Sequence, residues 1–338
     1  MNGIAIGPAE ITQALPPTFL WMAYEWGLEV IRGIQTIQTP VLTTLMRFIS
    51  ALGSEALYVP VILFVLWCVE DKRGIRFGVL VIISVWINVF LKDIWGQPRP
   101  FNLDSSLGII TVSGYGAPSG QAQLALCFWI VMAAWLGKLW PSRRTVIWAV
   151  SVSFILLIGF TRLYLGLHFP TGIFAGWILG GFILFILFVF GPHMEKLLAA
   201  GGVRLQNISA AAVALLMNGL FPQERSFPAL FLGFCLGYAM MKQRFPFSPQ
   251  EDIAGEKPGL QIMIFRCFTG FVSTAALFLV LRLIFPGEGS LFRDLPIWGP
   301  ASPFYDMGQF IRYGLLGFWV TAGVPRLFQR MGLAQCSL

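Results

Sequence analysis

Residues 169–191 read FPTGIFAGWILGGFILFILFVFG, 23 residues without one charged side chain. A helix rises about 1.5 Å per residue, so about 20 such residues span the hydrocarbon of a bilayer. Gly172, Gly176, Gly180 and Gly181 give this run a small surface on which another helix could pack closely. Further apolar runs, closed by charge, Gly or Pro, occupy 55–69, 77–95, 121–137, 145–164, 206–221, 227–241, 260–285 and 307–325. The expectation is nine spans in an all-α, polytopic transmembrane helical bundle.

Composition agrees. Of 338 residues, 57% are hydrophobic and only 12% charged, which excludes an ordinary soluble domain. The first 16 residues have no basic region and no long apolar core, so no removable leader is expected. From Pro17 to Ser50 the apolar pattern is interrupted by Glu25, Glu29, Arg32 and Arg47, which reads as amphipathic helices lying along or dipping into the interface, with a tenth span there as the alternative. Cys68, Cys127, Cys235 and Cys267 lie in apolar stretches and Cys336 in the tail; with no Cys-x-x-Cys pair, neither a disulfide framework nor a zinc site is expected.

A net charge of +7 could suggest nucleic acid, but in such a chain basic residues mark loops. Threading the nine spans alternately puts Lys72, Arg73, Arg76, Lys138, Arg143, Arg144, Lys196, Arg204, Lys242, Arg244, Lys257, Arg326 and Arg330 on one side. Lys92, Arg99, Arg162, Arg225 and Arg293 fall on the other. The positive-inside rule makes the richer side cytoplasmic, together with the C-terminus. His193 reads as a solvated cytoplasmic loop residue. Arg266, Arg282 and Arg312 fall within C-terminal spans, where they either snorkel to an interface or line a polar path.

Three of the five outward basic residues lie at the ends of apolar helices, in two segments far apart in sequence. Lys92 and Arg99 flank Asp93-Ile94-Trp95-Gly96-Gln97-Pro98; an ammonium and a planar guanidinium fork both suit phosphate oxygens. Ala117-Pro118-Ser119-Gly120-Gln121 opens the next span, where Ser119 and free helix N–H groups make an anion site. Thr161-Arg162, then five residues, then His168 supplies a second guanidinium and an imidazole. Taken singly, Lys92, Arg99 and Arg162 read as interface anchors and Ser119 as a helix cap. Their joint spacing favours phosphate.

These three blocks resemble the type 2 phosphatidic acid phosphatase superfamily, whose pattern is K-x6-R-P, then P-S-G-H, then S-R-x5-H-x3-D. The resemblance covers about Leu57 to Gly191. It implies a six-helix phosphatase-like core in which Lys92, Arg99, Ser119, Gly120 and Arg162 hold a phosphate and His168 attacks phosphorus to give a phosphohistidine. About four additional C-terminal spans follow. Two positions depart from the pattern. Gln121 stands where a histidine protonates the leaving oxygen, and Gly172 where an aspartate orients the nucleophile. A general acid is worth about 10² to 10⁴ in rate, and an orienting carboxylate about 10⁴ in a serine-protease triad. Hydrolysis is therefore expected to be impaired by Gln121 and Gly172, that of monoesters above all; a diphosphate, whose leaving group needs no proton, is the substrate best able to tolerate Gln121 but does not make up for the missing aspartate. Asp93, Glu288, Asp294 or Asp306 could replace the aspartate.

The resulting expectation has 1–54 as interfacial helices, 55–198 as the core and 203–338 as a further transmembrane region, with a flexible link at 197–202. The protein binds a phosphorylated lipid at the non-cytoplasmic face of a bacterial inner (plasma) membrane, facing periplasm or exterior, with no metal, cofactor or nucleic acid. Two alternatives stand beside it: an active lipid or polyprenyl diphosphate phosphatase or phosphotransferase using His168, and a lipid transporter or scramblase on a phosphatase-like scaffold.

Overall fold

The computed structural model describes residues 19–285, 302 and 304–335, all of whose regular structure is helical. Glu288, Arg293, Asp294, Cys336 and the first 16 residues lie outside them. Every one of the nine expected runs forms helix. Five helices are long and apolar enough to cross a membrane: Asp71–Leu103, Gly120–Leu139, Pro141–Tyr164, Pro170–Ala200 and Leu260–Ile284. A sixth arises if Pro40–Ala51 and Glu55–Val69, bent by 42°, count as one span. The other three expected runs fall short for visible reasons. Residues 206–221 hold Gln206, Asn207 and Asn218; residues 227–241 run into Lys242 and Arg244; residues 307–325 are broken by a π-helical turn at Trp319–Gly323.

The chain packs as two compact units, one drawn from Met1–Tyr58 and Ser84–Ile186, the other from Val59–Ile83 and Leu187–Leu338. The elements of the first are α1 (Phe19–Gln35), α2 (Pro40–Ala51), part of α4 (Asp71–Trp95), the short α5 (Pro100–Leu103), α6 (Gly120–Leu139), α7 (Arg144–Tyr164) and part of α8 (Pro170–Ala200). α1 and α2 bury apolar faces within this unit. Tyr24 and Ile31 of α1 pack with Leu107 and Phe169, and Met46 of α2 with Tyr164, Leu165 and Leu167. Gln35 ties two carbonyls together by donating to Leu107 O (3.0 Å) and Tyr164 O (2.9 Å). Gly166 is required in the turn after α7: its φ is +69°, and a Cβ there would lie 1.9 Å from Leu107 O.

The glycines of α8 do what their spacing suggested, with one exception. A Cβ on Gly172 would lie 3.1 Å from Gly116 O, on Gly176 2.5 Å from Ser119 O, and on Gly180 3.0 Å from Gln123 O, whereas Gly181 faces open space. Backbone thus meets backbone where two turns of α8 lie against residues 116–123, the segment that leads into α6. A polar bracket inside the unit adds direction. Gln123 donates to Ser84 O and Ser84 Oγ, both at 2.8 Å, and accepts from Asn88 Nδ2 at 2.7 Å; Asn88 also reaches Pro118 O at 3.3 Å.

The second unit contains α9 (Gly202–Leu220), α10 (Ser226–Arg244), α11 (Leu260–Ile284), α12 (Tyr305–Phe318) and α13 (Val324–Arg330), with the end of α3 (Glu55–Phe64) and the start of α4. α10 and α12 cross at glycine. A Cβ on Gly233 would lie 1.9 Å from Gly314 O, and one on Gly317 2.4 Å from Leu230 O. The link expected at 197–202 is helical through Ala200, and His193 is an exposed residue of α8 rather than of a loop.

Arg266 neither snorkels nor lines a path. It is wholly buried and donates to four carbonyls: Leu333 O (2.8 and 3.1 Å), Pro249 O (2.8 Å), Glu251 O (2.6 Å) and Trp67 O (3.4 Å). Arg312 is buried too, donates to Phe285 O at 2.9 Å and stacks on Tyr313; Arg282 is exposed.

Candidate functional site

His168 sits in the five-residue turn between α7 and α8. Its direction is set locally, because the N–H groups of Leu167 and His168 both bond to Arg162 O, at 3.0 and 3.3 Å. The ring is almost fully buried. Nδ1 lies 2.6 Å from Gly116 O. A carbonyl only accepts, so Nδ1 carries the proton and Nε2 keeps its lone pair. Burial, followed by the charges of Arg162, Arg99 and Lys92, pushes the ring's pKa well below its ordinary 6.5, so the imidazole is neutral.

A backbone carbonyl thus stands beside Gly172, the position at which the sequence resemblance expects an aspartate. Gly116 O occupies the space beside Gly172, at 3.1 Å from where a Cβ would be. Gly116 has no side chain for a similar reason: a Cβ would lie 2.4 Å from Pro98 O, while its N–H bonds Gln97 O at 2.7 Å. None of the carboxylates considered from sequence replaces it among the described residues. Asp93 is exposed at the end of α4, and Asp306 pairs with Arg225 at 2.9 Å in the other unit.

Arg99 is buried before α5 and is largely spent on the chain around it. Nε donates to Gly114 O (2.8 Å), Nη2 to Ser113 O (3.2 Å) and Nη1 to Leu167 O (3.1 Å), with Nη1 also 3.5 Å from His168 Nε2. Arg162, in the last turn of α7, is less satisfied. Nη1 donates to Ser50 Oγ at 2.6 Å, while the buried Nε has no partner among the described residues. Half-buried Lys92 makes no hydrogen bond or ion pair with a described side chain; exposed Glu55 acts on it only from a distance. Arg99 therefore touches a neutral histidine on which the charges of Arg162 and Lys92 also act, and none of the three cations is ion-paired to a described carboxylate.

Ser119 caps α6, its Oγ accepting from Ala122 N at 3.5 Å, and its own N–H is taken by Gly172 O at 2.9 Å. The next N–H groups, of Gly120 and Gln121, stand at the open end of the helix. Gly120 lies against Asn88, whose Oδ1 would be 2.9 Å from a Cβ there. Gln121 is half-buried and its Oε1 accepts from Ser50 Oγ at 3.3 Å.

The PAP2 superfamily pattern matches residues 73–194, and that of the PAP2 superfamily phosphatase transmembrane extension matches residues 226–336. The chain belongs to the PAP2 superfamily. It is 28% identical over 167 residues to the undecaprenyl-diphosphatase of Sulfolobus acidocaldarius, covering 48% of this chain and 76% of that one. It is 27% identical over 151 residues to the lipid A 4'-phosphatase of Bacteroides thetaiotaomicron (40% and 64%), and 25% identical over 167 residues to the phosphatidylglycerophosphatase B of Bacillus subtilis (47% and 80%). A solved transmembrane PAP2 type phosphatidylglycerolphosphate phosphatase from Bacillus subtilis aligns with a TM-score of 0.46 at 23% identity, covering 52% of this chain and 89% of that one. This is accordingly a multi-pass membrane protein of a lipid phosphatase superfamily.

All eight residues singled out from sequence lie in the first unit, which ties Arg99 to His168 and Ser119 to Gly172. Two further participants were not foreseen. The Gly116 carbonyl is backbone and has no sequence signature; Ser50 lies on α2, outside both matched stretches. The Ser84–Asn88–Gln123 bracket had a readable signal, since polar side chains inside apolar spans require partners.

Proposed function

We propose that this protein hydrolyses phosphorylated lipids at the non-cytoplasmic membrane face, with diphosphates favoured over monoesters. Lys92, Arg99, Ser119, Gly120 and Arg162 hold the phosphate, and His168 Nε2 attacks phosphorus. The observation that carries this reading is a buried neutral histidine, its Nδ1 proton held by Gly116 O, on which three cations act that are not ion-paired to a described carboxylate. The outward position is supported by Lys72, Arg73, Arg76, Lys138, Arg143 and Arg144, which lie at the opposite ends of the helices that carry the site.

With a diphosphate the steps balance. The Nε2 lone pair forms the P–N bond, the bridging P–O bond breaks, and the lipid monophosphate leaves as a dianion without taking a proton. The ring, now phosphorylated at Nε2 and still protonated at Nδ1, is positively charged, and Gly116 O steadies it. Water then attacks phosphorus, the P–N bond breaks, and dihydrogen phosphate leaves with both protons of the water. A monoester would expel an alkoxide, which needs the proton that Gln121 cannot give. Monoester turnover is therefore the activity that is impaired. The transport alternative gains no support from Arg266, whose donors are engaged by carbonyls.

The test is phosphate release from matched lipid diphosphates and monophosphates by the purified protein, beside His168→Ala and Gln121→His. Diphosphate turnover should fall at least about 100-fold in His168→Ala, and monoester turnover should rise in Gln121→His. No release from either substrate, or release indifferent to His168→Ala, would overturn the proposal.

A further inference from the structure

Ser50 lies outside the stretches matched by the superfamily patterns, yet it is bound to two of the site's side chains. Its hydroxyl accepts from Arg162 Nη1 at 2.6 Å and donates to Gln121 Oε1 at 3.3 Å. The residue is almost completely buried in α2. One hydroxyl has one proton, and here that proton faces the carbonyl end of a carboxamide while the oxygen receives a guanidinium. The rest of the Gln121 amide is fixed as a consequence: with Oε1 engaged, the NH₂ end is the free end, and neither of its hydrogens bonds a described residue.

We infer that Ser50 is a positioning residue of the phosphate site: it aims the Arg162 guanidinium and presents Gln121 as a neutral N–H donor to the departing oxygen, which sets the preference for a phosphate leaving group. This rests on the function proposed above and deepens it. A donor that cannot release its proton stabilises an oxygen that departs as an anion, and helps little when the oxygen must depart as an alcohol. Arg162 gains in the same way. Held at Nη1, the guanidinium keeps its buried Nε, unpartnered among the described residues, for the ligand, which spares it the cost of ordering a long side chain on binding.

The experiment uses the full chain purified in detergent, with inorganic phosphate and matched lipid diphosphate and monophosphate as probes. Ser50→Ala, the near-isosteric Ser50→Cys, Gln121→Ala and the Ser50→Ala/Gln121→Ala pair are compared. Expected for both Ser50 variants is about tenfold weaker protection by phosphate against thermal unfolding, with a melting temperature without phosphate within about 2 °C of the unmodified protein. The diphosphate-to-monophosphate turnover ratio should fall several-fold. The double variant should lose no more of that ratio than Gln121→Ala alone, because Ser50 acts on it through Gln121. A ratio and phosphate affinity unchanged in both Ser50 variants, while His168→Ala is inactive, would overturn this inference and leave the proposed function standing. An unmodified protein that phosphate does not stabilise would overturn both.

Discussion

The two units each bury arginine away from any ion-paired carboxylate, and they treat it differently. Arg266 of the second unit is satisfied by four backbone carbonyls, so its charge is matched by fixed dipoles and nothing further is needed. Arg162 of the first unit has one serine hydroxyl and a buried Nε without a partner among the described residues. A desolvated donor left open costs of order 1–3 kcal/mol, a cost that a closed structural knot avoids and a ligand site can recover on binding. Arg99 is intermediate, holding the loop at 113–114 and the turn at Leu167 while touching His168. Unmet donors, more than buried charge alone, distinguish Arg162 from Arg266.

The largest effect that could break this comparison is on Arg266. Arg266→Ala leaves the carbonyls of Trp67, Pro249, Glu251 and Leu333 without their donor, and should cost about 3–5 kcal/mol or prevent recovery of folded protein. Thermal unfolding in detergent measures it; a variant melting like the unmodified protein would remove the distinction. Arg162→Ala should behave oppositely, lowering turnover about 100-fold or more and abolishing stabilisation by phosphate, with a stability change in its absence of under about 1 kcal/mol.

Next is the helix contact on which the site rests. Gly176→Ala puts a methyl 2.5 Å from Ser119 O and should destabilise by about 1–3 kcal/mol. Gly172→Asp, the change that restores the superfamily pattern, should not raise activity, because Gly116 O, 3.1 Å from the new Cβ, already holds the Nδ1 proton of His168. Activity in that variant above the unmodified protein would show that the carbonyl gives way. The smallest effect is on pH. The folded pKa of His168 is depressed, so the unfolded chain takes up the proton first: stability is fully present above about 6.5 and falls as pH drops from there toward the folded value. Melting temperatures from pH 7.5 to 5 should show this fall, and His168→Ala should lessen it.

Much of this was readable in the chain. Charge-free runs located the helices, and three motifs located the cations and the histidine, since both signals are periodicity or spacing of side chains. What escaped has neither. Gly116 acts through its peptide group, and Ser50 is one hydroxyl on a helix whose pattern spoke only of amphipathicity. Gly172, read as a lost catalytic group, is also one of the glycines at which α8 meets the 116–123 backbone, so one substitution has a chemical and a packing meaning at once. Arg266 was ambiguous because sequence shows where an arginine is but not which carbonyls turn toward it.

On the function proposed above, the contact between His168 and Gly116 O has a consequence for how the site meets acid. A carboxylate partner is itself protonated near pH 4, so a histidine leaning on one can be disarmed in two ways as acidity rises. A peptide carbonyl does not titrate. The acid limb of the rate profile should then have the slope of a single proton, set by the imidazole alone.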